Sequence, residues 1–430
     1  MRDKVNELQQ TLYRAAKADR TRRFHSLYDK VYREDILLEA WNGVKRNKGA
    51  PGTDGKSIED IERKGTEIFL KEIATELKER TYKPSPLRRV WIPKSNGGKR
   101  GLAIPTVKDR VVQTAVKLVL EPIFEVDFEP NSYGFRPNKS AIDAIREVAK
   151  WLNFGCENVI DADIKACFDA MPKGGIIEQV AKRVSDGMIL KFISLWIHAG
   201  IIDHESLPHT AEGMPQGSPI SPLLANIFLN QLDKGWKMTG LPYRFGKDAH
   251  LVRYADDFVI LGKDDMTRPM QELDKIISSI NLSLNKEKTR IVNAEQGFEF
   301  LGFRFVRHYS KKNGKRVTKW FPSEKSEGNI SNKIKELTDK GNLAADSPYD
   351  ARGKIVGVLR EWGEYFRHSM ASKSFRDVWN YANVRLGRMN KRWHHQNGGI
   401  GRYRDNKNCG FVITGTIPKT IPYAAYNAAR

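Results

Sequence analysis

Cysteine is nearly absent. Cys156, Cys167 and Cys409 stand far apart with no Cys-x-x-Cys pair, which excludes a disulfide framework and a cysteine zinc site and fits a reducing compartment. Long apolar runs are missing as well: the best candidate, residues 187–202, is interrupted by Lys191 and His198 and falls short of the roughly 18 apolar residues a membrane span needs. The N-terminus stays polar from Met1 through Gln10, without the apolar stretch of a secretory signal, so the expected location is the cytoplasm. Acidic residues are the third shortage. Against 73 Lys and Arg there are 52 Asp and Glu, a formal charge of +21 and a pI near 9.7; such a surface points to a polyanion, either nucleic acid or an anionic membrane. No internal repeat or low-complexity tract occurs.

What is present is an ordinary folded composition, 40% hydrophobic and 29% charged over 430 residues, long enough for two or three packed domains. Residues 2–44 read as basic helices, with Leu8, Leu12 and Ala15 on one stripe and Ile36, Leu37, Ala40 and Trp41 on another. The turn residues of 49–55 break the chain. A helix is expected over Thr66–Arg80, then a hairpin from Arg88 to Ile104 turning at Asn96-Gly97, then a helix from Arg110 to Phe124. Val159–Ile164 alternates as a strand, and Lys173–Ala199 is mostly helical. Leu251–Leu261 reads as two strands around a two-residue turn. After Phe305 a basic loop is expected, carrying Arg304, Arg307, Lys311, Lys312, Lys315, Arg316 and Lys319 with no acid between Glu299 and Glu324. Two helical stripes follow, one through Ile355, Leu359, Trp362 and Phe366 and one through Val378, Ala382, Leu386, Met389 and Trp393. Arg385, Arg388 and Arg392 share one side of the second helix, a ridge expected to meet nucleic acid. The adjacent His394 and His395 read as surface residues rather than metal ligands.

The chemistry concentrates in two acidic clusters. Asp256-Asp257 sits between apolar strands, where two anions repel each other unless a cation or water relieves them. Asp161, Asp163 and Asp169 lie at the end of another apolar strand. Carboxylates brought together from separate strands are what two-metal nucleotidyl transfer requires, with ions ~4 Å apart. In the hairpin, Lys94 faces Lys99, or Arg100 if the loop is one residue longer. Like charges directly across a hairpin are unfavourable unless an anion such as a triphosphate bridges them.

In order along the chain, Gly49–Gly55, Ile92–Thr106, Ser132-Tyr133-Gly134-Phe135-Arg136-Pro137, Asp163–Phe168, Pro215-Gln216-Gly217-Ser218-Pro219, Tyr254-Ala255-Asp256-Asp257, Asn285–Thr289 and Phe300-Leu301-Gly302-Phe303 resemble the motif series of group II intron reverse transcriptases. The resemblance covers roughly residues 37–393. It implies an α+β right-hand polymerase: N-terminal extension and fingers over 1–155, a palm with an antiparallel sheet over 156–305, a helical thumb resembling maturase domain X over 306–395, and a tail at 396–430 without the family's endonuclease.

The implied activity is RNA-directed DNA synthesis from an RNA template, a DNA or RNA primer and dNTPs, with two Mg2+ ions (Mn2+ as a possible substitute) held by Asp163, Ile164 and Asp256, and Asp257 supporting. The resemblance also assigns Lys94, Arg100, Gln216 and Lys288 to the nucleotide and Phe168 to a position under its sugar, where a ring excludes a 2'-hydroxyl. Arg136, Arg385, Arg388 and Arg392 are the expected nucleic-acid contacts, and structured group II intron RNA is the expected partner for splicing and mobility. Two rivals stay open: a group II-like enzyme serving phage defence, DNA repair or diversification, and a non-enzymatic splicing factor that keeps the polymerase shape.

Overall fold

A computed structural model describes residues 2–93, 98–202, 209–210, 213–244, 246–311, 314–339 and 347–396. The chain divides into two compact units, one of residues 1–144, 162–260 and 264–290, the other of 145–161, 261–263 and 291 onward. These units cut the chain elsewhere than the sequence boundaries at 155 and 305, because strands distant in sequence pair with one another.

The first unit is built on the helix Val107–Glu125, in which Val111, Val112, Ala115, Val116, Val119, Leu120 and Ile123 are fully buried. Its apolar residues run nearly all round, so neighbours cover it on several sides; the helices Arg2–Ala18 and Glu34–Arg46 do so. Thr106 starts it by accepting from the Asp109 amide. Beside it lie β1 (Leu87–Pro93) and β2 (Lys99–Ile104), antiparallel, with β4 (Gly200–Ile202) and β5 (His209–Thr210) extending the sheet in the order β2-β1-β4-β5. The pairing sets Ile92 across from Arg100 and Pro93 across from Lys99. Neither register expected for Lys94 is therefore the one adopted by Lys99 and Arg100; Lys94 itself, with the hairpin tip, lies outside the described residues.

The central sheet has the order β6-β7-β3-β8, from β3 (Asn158–Asp163), β6 (Ala249–Tyr254), β7 (Asp257–Gly262) and β8 (Arg290–Asn293). Leu251, Val252, Phe258, Val259, Ile260 and Leu261 are all buried, the near-continuous apolar pattern of strands covered on both faces.

In the second unit β9 (Phe298–Phe300), β10 (Phe303–Ser310) and β11 (Lys315–Pro322) form an antiparallel sheet. The expected basic loop after Phe305 is thus a hairpin. Its alternation of Phe303, Phe305, Trp320 and Pro322 on the inner side was masked by the charged residues between them. Three helices follow, Glu324–Thr338, Pro348–Phe366 and Ser372–Gln396, around a core of Ile330, Ile334, Ile355, Leu359, Val378, Trp379, Ala382, Leu386 and Met389. Ile355 and Leu359 of the first expected stripe and Val378, Ala382, Leu386 and Met389 of the second lie in this core, with Trp362 and Tyr381 partly buried against it. The tail at 397–430, including Cys409 and the endonuclease expectation, lies outside the described residues.

Candidate active site

Asp163 is the last residue of β3, and Asp257 is the first of β7, the neighbouring strand. At the opposite end Asn158 of β3 donates to the Lys263 carbonyl, just past β7, at 3.4 Å, so the two strands run antiparallel and Asp163 comes beside the β6–β7 turn. That turn is Ala255-Asp256, one residue earlier than the sequence pattern implied: Asp256 is half-buried, while Asp257 opens β7 and is exposed. Cys167 reports the convergence. Burial pushes its thiol well up, and the nearby carboxylates of Asp256, Asp163 and Asp169 push it further, against Arg253.

Both acidic turns carry an alanine in the left-handed region, Ala166 at φ 46° and Ala255 at φ 56°. Such backbone persists only where the surroundings over-determine it. For the β6–β7 turn these surroundings are visible. Arg253 is fully buried, donates to both oxygens of Asp233 and to Asn226 Oδ1 at 3.0 Å, and reaches the Ala255 carbonyl at 2.8 Å. Asp233 and Asn226 project from the helix Ser221–Met238, and Asn226 also donates to the Gly134 carbonyl at 2.7 Å. On the other side Tyr133 N donates to Arg253 O, and Arg253 N to Asn131 O, each at 2.9 Å.

Gly134 completes this clamp. A Cβ there would lie 2.4 Å from the Ala255 nitrogen, so only glycine lets the 131–137 loop reach the turn. Arg136, expected to touch nucleic acid, is instead buried: it pairs with Glu125 at 2.7 Å and donates to the carbonyls of Glu129 and Ser132. The burial of a charge requires such partners, and they hold the loop in shape. This support was missed in the sequence because its members come from three separate segments, around residues 125–136, 226–233 and 253–255; the available signal was an arginine in a mostly apolar strand.

Of the residues expected at the nucleotide, Lys288 reaches Asp163, while Phe168 and Gln216 are tied to neighbouring segments through their backbone. Asp163 Oδ2 accepts from Asn285 Nδ2 and Lys288 Nζ, each at 3.1 Å. Phe168 is half-buried, and its carbonyl accepts from Met214 N at 2.9 Å, which ties the 213–219 loop to it. Gln216 is half-buried as well, and its carbonyl accepts from Ala103 N of β2 at 2.7 Å. Gly217, at φ 119°, would bring a Cβ to 2.8 Å from the Ala103 carbonyl, a close backbone approach that glycine permits.

The donor set suits a hard divalent cation. Asp163 and Asp256 offer carboxylate oxygens, and Ile164 can offer only its carbonyl. Ile164 faces Leu284 in a bridge whose bonds are Lys165 N to Ser283 O and Asn285 N to Asp163 O. In that non-hydrogen-bonded pairing the carbonyl of Ile164 itself points away from the partner segment.

Of the ridge on the last helix, Arg385 donates to Thr338 Oγ1 at 3.0 Å and pairs with Asp339 at 2.5 Å, and Arg392 donates to the Thr338 carbonyl at 2.6 Å. These two close the C-terminus of the helix Glu324–Thr338, where cations and donors satisfy free carbonyls. Only Arg388 is exposed.

Carboxylates from two antiparallel palm strands, with a glutamine-bearing loop against the fingers sheet, define a template-directed nucleotidyltransferase of the right-hand class. Residues 92–305 match the reverse transcriptase (RNA-dependent DNA polymerase) family, and residues 328–410 match the group II intron, maturase-specific domain. Protein YkfC of Escherichia coli K12 is 34% identical over 357 residues, 75% of this chain and 93% of YkfC. The group II intron-encoded protein LtrA of Lactococcus lactis is 30% identical over 342 residues, 65% of this chain and 56% of LtrA. The chain belongs to the group II intron reverse transcriptase/maturase family and carries its RNA-directed DNA polymerase domain. Among the described residues no helix is long and apolar enough to cross a membrane.

Proposed function

We propose that this chain extends a primer on an RNA template with dNTPs through a pair of Mg2+ ions held by Asp163, Asp256 and the Ile164 carbonyl. What supports the reading is that Asp163 ends β3 next to β7, the strand that follows the turn carrying Asp256. When bound, the ions would activate the primer 3'-hydroxyl and stabilise charge on the leaving pyrophosphate. Asp163 keeps Oδ1 clear of its hydrogen bonds to Asn285 and Lys288, which fix the carboxylate's orientation. Lys288, which pairs with Asp163 at 3.1 Å, gives a proton to the departing pyrophosphate in this reading.

Phe168 lies under the sugar and excludes a 2'-hydroxyl, while Gln216 lines the nucleotide and template. Arg100, with Lys94, meets the triphosphate. Binding of a structured intron RNA, for splicing and mobility, is proposed from the maturase-specific match and the cationic composition.

The test is primer extension on an RNA template with dNTPs or rNTPs and Mg2+, beside Asp256→Asn. The expected result is dNTP-dependent extension that the variant loses by at least ~10²–10³-fold, the scale for removing one charge-stabilising group. Splicing without any extension would instead favour the non-enzymatic reading.

A further inference from the structure

We infer that the outer face of the β10–β11 hairpin is a separate docking surface for the phosphate backbone of duplex RNA. It lies in the second unit, and most of it, residues 306–322, falls between the reverse transcriptase and maturase-specific matches. The inference rests on the reading that this chain binds a structured RNA.

The hairpin has two chemically distinct faces. Register pairs Phe303 with Pro322, Phe305 with Trp320, and Arg307 with Thr318, and these six are buried. The alternate pairs, Arg304 with Phe321, Val306 with Lys319, His308 with Val317, and Ser310 with Lys315, face outward and none is buried.

Charge is treated differently on the two sides. Arg307 is matched by Glu157 at 2.7 Å, and Arg316 pairs with both Glu157 and Glu295. On the outer face, Glu299 of β9 stands across from Arg304, but nothing acidic accompanies the distal part. The side chains of Lys315, Lys319 and His308, with Lys311 at the turn, make no hydrogen bond or ion pair among the described residues. Cross-strand diagonals place His308 within about 7–8 Å of both Lys315 and Lys319. Lysines gathered on one face without an acidic neighbour set up a positive potential that attracts an anion. The residues between them, Val306 and Val317, are half-buried and offer no wedge for a bilayer. A polyanion with regularly spaced charges is the complementary partner, and A-form RNA is read mainly through its backbone.

β11 is an edge strand, where lysines can also serve to block aggregation. The experiment separates the two. Fluorescence anisotropy would follow the full chain binding a labelled, fully paired RNA stem across a salt series, in wild type, in Lys311→Gln/Lys315→Gln/Lys319→Gln, and in Arg316→Gln. The triple variant is expected to lower the slope of log affinity against log salt by about 2–3, roughly one for each phosphate no longer neutralised. Single-nucleotide addition on a saturating short primer–template should stay unchanged. Arg316→Gln, whose charge is already matched by Glu157 and Glu295 within the chain, should leave the slope alone.

The inference is overturned by an unchanged slope in the triple variant, with or without aggregation, or by binding to anionic vesicles that persists while the stem is ignored. Loss of extension in the wild type would instead strike the polymerase reading, which this binding assay does not depend on.

Discussion

Substituting Gly134 by alanine probes how the catalytic turn is held. Gly134 does not adopt positive φ, so alanine's backbone preferences are met there and space alone decides the outcome. The added Cβ would stand 2.4 Å from Ala255 N and 2.9 Å from the Tyr254 carbonyl carbon, where ordinary contact begins at 3.4 Å. Both are backbone atoms of the turn that carries Asp256, and neither can rotate away. Relief therefore needs a shift of about 1 Å, a misplacement that costs on the order of 10²-fold in rate where reacting groups must align.

Stability should fall less conspicuously. Overpacking of this kind costs ~1–3 kcal/mol, and each kcal/mol moves the melting point by roughly 2–4 °C in a domain of this size. Rapid-quench single-nucleotide addition at saturating primer–template, with circular dichroism as a check on folding, measures the effect. A folded Gly134→Ala protein whose rate stays within a few-fold of wild type would refute the clamp.

Other outcomes follow from the same geometry. Arg253→Met leaves Asp233 charged and fully buried, and should cost ~3–5 kcal/mol in denaturant titration. Arg253→Met/Asp233→Leu should recover most of that loss, and equal loss in both would contradict the buried-pair account. Phe168→Ala should raise ribonucleotide incorporation relative to dNTP by about tenfold or more, as removal of a steric selector does; unchanged discrimination removes the gate assignment. Chelation should abolish extension by wild type and Mg2+ should restore it, whereas Asp256→Asn should not recover under the same titration. Arg385→Gln should lower the melting temperature through the end of the helix Glu324–Thr338 and leave RNA affinity nearly unchanged; a large affinity loss at equal stability would return Arg385 to the RNA surface.

Local chemistry made much of this protein legible in its sequence. Asp163 and Asp256 are conspicuous because adjacent or strand-end carboxylates within apolar runs are electrostatically awkward without a cation, and that awkwardness shows in a few consecutive residues. Period-3.6 stripes such as Val112 to Ile123 and Val378 to Met389 declared their helices for the same reason, since burial repeats with the helix turn. The hairpin after Phe305 was hidden because its outer face is so basic that the alternation beneath it looked like a loop.

Tertiary structure decided what each arginine is for. Arg136, Arg253, Arg385 and Arg392 are alike in sequence, and all could meet phosphate. The fold gives each an internal acid, carbonyl or amide oxygen instead, because a guanidinium taken from water must be paired wherever its strand or helix carries it. Only the meeting of distant segments sets which cations are consumed inside and which, like Lys315 and Lys319, are left facing solvent.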